Sequence, residues 1–99
     1  MQNRYTKSTD QLCKAILSLK TKEECYAFLE DICTIKEIQD ISQRLSVAQL
    51  LSQGVSYTTI CKQTGASTAT ISRVSRCYEY GAGGYKNIIA RLDKEKSHA

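Results

Sequence analysis

Hydrophobic residues recur along the chain at intervals of three and four positions, which is the spacing of one face of an α-helix. These stripes predict helices over about residues 8–19, from Thr21 through Ile32, and from Thr34 to about Ser52. Polar residues occupy the positions between the stripes, so each helix presents one narrow apolar side. On the third helix, the residues expected to be buried are Ile38, Ile41, Leu45 and Ala48.

Polar residues at the predicted boundaries support these helices. Thr21 with Glu24, and Thr34 with Glu37, have the spacing of a capping box. In a capping box the hydroxyl and the carboxylate each accept a hydrogen bond from a backbone N–H that the helix leaves unpaired. Gly54 can adopt the left-handed conformation that ends a helix. We therefore expect three amphipathic helices in the first half of the chain.

Two shorter helices follow and predict a helix-turn-helix. Ser56 can cap a helix over Tyr57–Gln63, Gly65 suits a tight turn, and Ser67 can cap a second helix that ends near Glu79. In such a unit the inner positions are apolar, the helix crossing needs a small residue, and the turn favours glycine. The residues that fit this pattern are Ile60, Cys61, Gly65, Ala66, Ile71 and Val74, and the one that departs from it is Thr64.

The composition fits one all-α domain. The chain has 99 residues and contains no proline, the residue that most strongly breaks helices. We interpret residues 1–99 as a single domain, with dimerisation helices in 1–53, the helix-turn-helix in 54–80, and a glycine-rich turn and a last helix over Lys86–Lys94 in 81–99. The apolar stripes of residues 1–53 are thin, so we expect a second copy of the chain to cover them.

The five cysteines do not indicate a metal site. No two of them form a C-x₂-C pair, and the one histidine, His98, lies beside the C-terminus. We expect the cysteines to be small core residues of a cytoplasmic protein that has no secretory signal and no membrane span. The sequence also offers no Ser–His pair and no convergent carboxylates, so we expect neither an enzyme nor a bound cofactor.

The net charge of +4 is unevenly distributed. Residues 1–53 contain seven basic and seven acidic residues, whereas residues 54–99 contain seven basic and three acidic ones. The 34 positions from Leu45 to Tyr78 contain no acidic residue, so double-stranded DNA could approach them without repulsion. Arginines can hold guanine or phosphate, and short hydroxyls can bond to either. The residues expected to contact DNA are Lys62, Ser67, Thr68, Thr70, Ser72, Arg73 and Arg76.

Two runs of residues resemble a known family. They are Gly-Ala-Ser-Thr-Ala-Thr-Ile-Ser-Arg at 65–73 and Thr-Ile-Lys-Glu-Ile-Gln-Asp-Ile-Ser-Gln-Arg at 34–44. Both resemble the Trp repressor superfamily, and most of all its YerC/YecD-type branch of Trp-repressor-related proteins. The resemblance covers about residues 10–90. It implies an all-helical, intertwined homodimer whose two helix-turn-helix units bind successive major grooves of DNA.

The same resemblance bears on a ligand. In the Trp repressor two arginines enclose tryptophan and a threonine helps to hold its carboxylate, and Arg44, Arg73 and Thr34 match these residues. Val74 stands where the repressor has the glycine that makes room for tryptophan, and Cys77 where it has the serine that meets the amine. We therefore expect no tryptophan sensing. Another small-molecule corepressor, held by Thr34, Arg44, Arg73 and Cys77, is left open.

These observations predict a sequence-specific, DNA-binding transcriptional regulator that acts as a repressor and as a homodimer. Two alternatives are left open: a helix-turn-helix adaptor in replication or recombination, and a helical interaction module with no nucleic-acid role. Clustered repeats in the bound DNA would favour the adaptor. The interaction module predicts that DNA binding, with its dependence on salt, is absent.

Overall fold

A computed structural model of the protein describes residues 5–97, with side chains through Glu95, and these residues form six α-helices and no strand. The all-α prediction is therefore confirmed. The helices are α1 (Lys7–Ser18), α2 (Lys22–Ile32), α3 (Ile35–Ser52), α4 (Tyr57–Thr64), α5 (Thr68–Tyr80) and α6 (Gly84–Ser97). The last helix begins two residues before the predicted start at Lys86, at Gly84.

Side-chain caps set the starts of the early helices. At α3 the capping box is complete, because Glu37 N donates to Thr34 Oγ1 at 3.1 Å and Thr34 N donates to Glu37 Oε1 at 2.8 Å. At α2 the Thr21 hydroxyl accepts from Glu24 N as predicted. The Glu24 carboxylate, however, accepts from Lys20 N at 2.8 Å, one residue further back than the box requires. The Thr21 prediction is therefore correct for the hydroxyl and wrong for the carboxylate.

The described residues divide within α3 into two compact units, one up to Ile38 and the other from Gln39 onward. The first unit contains α1, α2 and the first turn of α3. No residue of α1 or α2 is buried. Leu17 is 83% exposed and Ile16 is 50% exposed, although both are large and apolar. Within the described chain, much of the apolar side of each of these two helices lies in solvent, although Ala15 and Phe28 are half-buried.

The core lies in the second unit. α3 contributes Val47 and Ala48 to it, and α5 contributes Ile71 and Val74. Ile60 of α4, Ala66 of the turn between α4 and α5, and Ile89 of α6 complete it. α5 packs against both α4 and α6. On the α6 side, Lys86 Nζ also lies 5.4 Å from the centroid of the Tyr78 ring, within the range of a cation–π interaction. α5 is therefore held from two sides.

Two predictions about burial are wrong. Ile41 is 48% exposed, and of the residues expected to be buried on α3 only Ala48 is, although Leu45 packs against the core while partly buried. The cysteines are not core residues either. Cys13 and Cys77 are exposed, and the other three are half-buried. Cys13 and Cys25 lie on helices without buried residues, and Cys61 packs at the edge of the core.

Candidate nucleic-acid interface

α4, a three-residue turn and α5 form the predicted helix-turn-helix. Ser56 caps α4 by accepting from Thr59 N at 3.3 Å, and Ser67 caps α5 by accepting from Thr70 N at 3.1 Å. Gly65 has a φ of 74°, a left-handed conformation that side chains with a Cβ rarely adopt. Both helices end one residue beyond the predicted positions. The unit therefore forms where the caps and the glycine place it.

The inner side of this unit is apolar and closely covered. Ile60 and Ile71 are fully buried, Val74 is 1% exposed, and Ala66 fills the turn. Burying a Val or Ile side chain contributes about 1.5–3 kcal/mol relative to leaving it exposed. Since these residues point inward, the opposite side of α5 must face solvent.

Thr64, the residue that departs from the pattern, has a defined role at the turn. Its Oγ1 donates to Ile60 O at 2.7 Å and accepts from Ala66 N at 3.1 Å. Its carbonyl oxygen accepts from Gln43 Nε2 on α3, also at 3.1 Å. A polar residue is thus tolerated here because each of its polar groups has a partner.

The solvent side of α5 carries one continuous row of accessible side chains, which we call the outer face of α5. Its members are exposed and follow one another at helical spacing: Thr68, Ala69, Ser72, Arg73 and Arg76. Within residues 5–95, the side chains of Arg73 and Arg76 make no ion pair or hydrogen bond. Ala69 was missed in the sequence because it is apolar, although its position between Thr68 and Ser72 gives the signal.

The remaining predicted contacts lie beside this face. Lys62 is exposed in the last turn of α4. The Ser67 hydroxyl is engaged as the helix cap and donates to Thr70 Oγ1 at 3.1 Å. Thr70 is half-buried and keeps its own hydroxyl proton for a further acceptor. Ser67 therefore acts first as a cap, whereas Thr70 retains a donor.

The residues named for a small-molecule pocket differ in environment. Thr34 is engaged in the capping box of α3. Arg44 is half-buried, and Arg73 lies on the outer face of α5. Val74 packs in the core, and Cys77 is exposed. The side chain that stands in place of the repressor's glycine is thus fully covered by the core.

Two further features, a metal-binding cluster and a membrane-spanning helix, are absent from the described part of the chain. There, no group of three or more His, Cys, Asp or Glu residues is placed to hold a metal ion. His98 lies outside the described residues. None of the helices within residues 5–97 is both long and apolar enough to cross a membrane.

An all-α chain with a capped helix-turn-helix and a basic outer face defines the class of helix-turn-helix proteins. The family model for Trp repressor protein matches residues 7–93. The chain therefore belongs to the Trp repressor family, as the two sequence runs predicted.

Known relatives agree with this assignment. The uncharacterized protein YerC of Bacillus subtilis (strain 168) is 50% identical over 93 residues, which are 94% of this chain and 89% of YerC. A crystal structure described as a Trp repressor of Staphylococcus aureus is 48% identical, with a TM-score of 0.87 over 90% of this chain and 89% of that one. A TrpR-like protein from Eubacterium eligens ATCC 27750 is 51% identical, with a TM-score of 0.86 over 89% and 91%. The fold and the YerC-type resemblance are confirmed.

Proposed function

We propose that the protein is a sequence-specific DNA-binding transcriptional repressor that acts as a homodimer on the chromosome, in the cytoplasm, and without catalysis. The observation that carries this proposal is the outer face of α5, where Arg73 and Arg76 are exposed and without ionic partners among the described residues. Membership of the Trp repressor family supports it.

The outer face fits the major groove in size and chemistry. An α-helix with its side chains is about 10–12 Å wide, and the major groove of B-DNA is about 12 Å wide. The short side chains at Thr68, Ala69 and Ser72 allow the N-terminal half of α5 to approach base edges. Arg73 and Arg76 would then lie within reach of guanine or phosphate, with Lys62 on a neighbouring phosphate.

The first unit supports the homodimer. Large apolar residues remain exposed on both of its long helices: Leu12, Ile16 and Leu17 on α1, and Leu29 and Ile32 on α2. An isolated globular unit would bury such residues, whereas a second copy of the chain would cover both sets at once. In a symmetric dimer the two α5 helices would bind half-sites about 34 Å apart.

We further propose that DNA binding requires no tryptophan. Val74 belongs to the core and leaves no room for an indole at its position, and the Thr34 hydroxyl already caps α3. Isothermal titration calorimetry with L-tryptophan tests this directly. We expect no binding heat at millimolar tryptophan, and a Kd in the micromolar range would contradict the proposal.

The experiment for the main proposal is a selection of duplexes from a random-sequence pool on the purified protein. We expect enrichment of a pseudo-palindrome, bound by two chains in sedimentation analysis, with an affinity that falls steeply as salt rises. Enrichment of clustered direct repeats would instead support a replication or recombination adaptor. A flat selection, with no salt-dependent binding to any duplex, would support a helical interaction module.

A further inference from the structure

We propose that Gln43 and Thr64 are positioning residues that fix the turn of the helix-turn-helix, and with it the start of α5, on the long helix α3. The hydrogen bonds that connect Gln43 to Thr64, and Thr64 to Ile60 and Ala66, are called here the Gln43–Thr64 relay. This inference rests on the proposed function, because the orientation that the relay fixes is the one in which α5 would meet DNA.

The relay joins parts of the chain that are far apart in sequence. Gln43 Nε2 on α3 donates to Thr64 O at the end of α4 at 3.1 Å, across 21 residues. Thr64 Oγ1 then donates to Ile60 O at 2.7 Å and accepts from Ala66 N at 3.1 Å. Through Thr64, one side chain of α3 is thereby connected to Ala66 in the middle of the turn.

Two groups in the relay, Thr64 O and the N–H of Ala66, are ones that the helix α4 leaves unpaired. The last carbonyls of a helix have no partner within it, and Thr64 O is one of them. The N–H of Ala66 follows the left-handed Gly65 and cannot continue the helix. Gln43 and the Thr64 hydroxyl supply partners for both groups, and these hydrogen bonds stabilise this one conformation of the turn.

Apolar contacts alone would position the unit less strictly. The core residues of α3, Val47 and Ala48, belong to the same buried cluster as Ile60 and Ile71. Such contacts are not directional, so they permit small rotations of the packed helices. A hydrogen bond between a side-chain amide and a carbonyl is directional and half-buried here, and therefore defines the rotation.

The last residue of the turn, Ser67, transmits this constraint to α5. Ala66, held by the Thr64 hydroxyl, is directly followed by Ser67, which caps the helix. A shift of the turn would move the cap and the first residues of the outer face. The relay thus offers a way to hold α5 in a binding orientation by contacts within the protein, consistent with the absence of tryptophan sensing proposed above.

The test compares Gln43→Met with the control variant Gln39→Met. Gln39 is an exposed residue of the same helix, and its side chain makes no hydrogen bond within residues 5–95. The duplex enriched in the selection is the probe. We expect Gln43→Met to bind about fivefold more weakly, which corresponds to about 1 kcal/mol for one hydrogen bond, and Gln39→Met to bind like the wild type. The salt slope should stay unchanged in both, because no phosphate contact is lost.

A second pair of variants examines the other half of the relay without DNA. Thr64→Val removes the hydroxyl at nearly constant shape, whereas Thr64→Ser retains it. Hydrogen exchange measured by NMR should be faster at the Ala66 amide in Thr64→Val and unchanged in Thr64→Ser. Circular dichroism verifies that each variant is folded. If Gln43→Met does not fold, the same binding comparison is made between Thr64→Val and Thr64→Ser.

The outcomes separate the two proposals. If the wild type binds no duplex, the proposed function fails, and the positioning role fails with it. If the wild type binds and Gln43→Met binds equally well, only the relay is overturned. The relay is also overturned if Ala66 exchanges at the same rate in Thr64→Val and in the wild type.

Discussion

Arg73→Ala probes the outer face of α5 at its centre. The side chain of Arg73 is exposed and, within the described chain, makes no ion pair or hydrogen bond, so its removal should leave the fold intact. We expect the free energy of unfolding to change by no more than about 0.5 kcal/mol. DNA binding, by contrast, should weaken by about 1–3 kcal/mol, which is roughly 5- to 150-fold in Kd.

The assay is fluorescence anisotropy with the enriched duplex over a series of salt concentrations. Each phosphate contact contributes about 0.9 to the slope of log K against log salt. If Arg73 holds a phosphate, Arg73→Ala should therefore lower the slope by about 1 per chain, and Arg73→Lys should restore it. If Arg73 pairs with guanine, Arg73→Lys should stay weak, because lysine lacks the planar fork.

The matched control is Lys14→Ala on α1, which removes one exposed charge from a helix without a proposed DNA contact. We expect its affinity and salt slope to equal those of the wild type. If Arg73→Ala retains both the wild-type affinity and the wild-type slope, α5 does not bind DNA through this face. If Lys14→Ala weakens binding as much, the effect is one of net charge and the assignment to α5 is wrong.

Three further predictions concern stability and assembly. Ile71→Ala should lower the free energy of unfolding by about 2–5 kcal/mol in urea denaturation, because the side chain is fully buried, and a loss below 1 kcal/mol would contradict the core. Gly65→Ala should lower the free energy of unfolding by about 1–2 kcal/mol in the same assay, because alanine is strained at a φ of 74°. No atom lies within 4 Å of the added Cβ, so a clash would add nothing, and an unchanged free energy would contradict this strain. Leu17→Glu, at a residue 83% exposed in the single chain, should shift the sedimenting species from dimer to monomer, whereas the control Lys14→Glu should remain a dimer. If both variants sediment as dimers, α1 is not part of the interface.

Local chemistry explains why much of the fold could be predicted from the sequence. Thr34, Ser56 and Ser67 each act on a backbone N–H only a few residues away, so their spacing alone locates a helix start. Gly65 marks the turn for the same reason, because its conformation is a property of one residue. The outer face of α5 then follows from helical spacing once the helix is located.

Interactions between distant residues could not be predicted in this way. The bond between Gln43 and Thr64 depends on where α3 and α4 lie in space, and no sequence spacing reveals it. The predicted burial of Ile41 was wrong for the same reason. Its apolar stripe predicted contact with a core, but the single chain leaves it 48% exposed. Ala69 was missed because an apolar residue on a polar face gives no chemical signal by itself.

The central claim is that α5 is the element that contacts DNA, and an NMR titration tests it most directly. Adding the enriched duplex to ¹⁵N-labelled protein reports on every backbone amide separately. We predict that the largest shifts fall between Ser67 and Arg76, with smaller ones near Lys62. Shifts concentrated in α1, α2 or α6, with α5 unchanged, would contradict the claim.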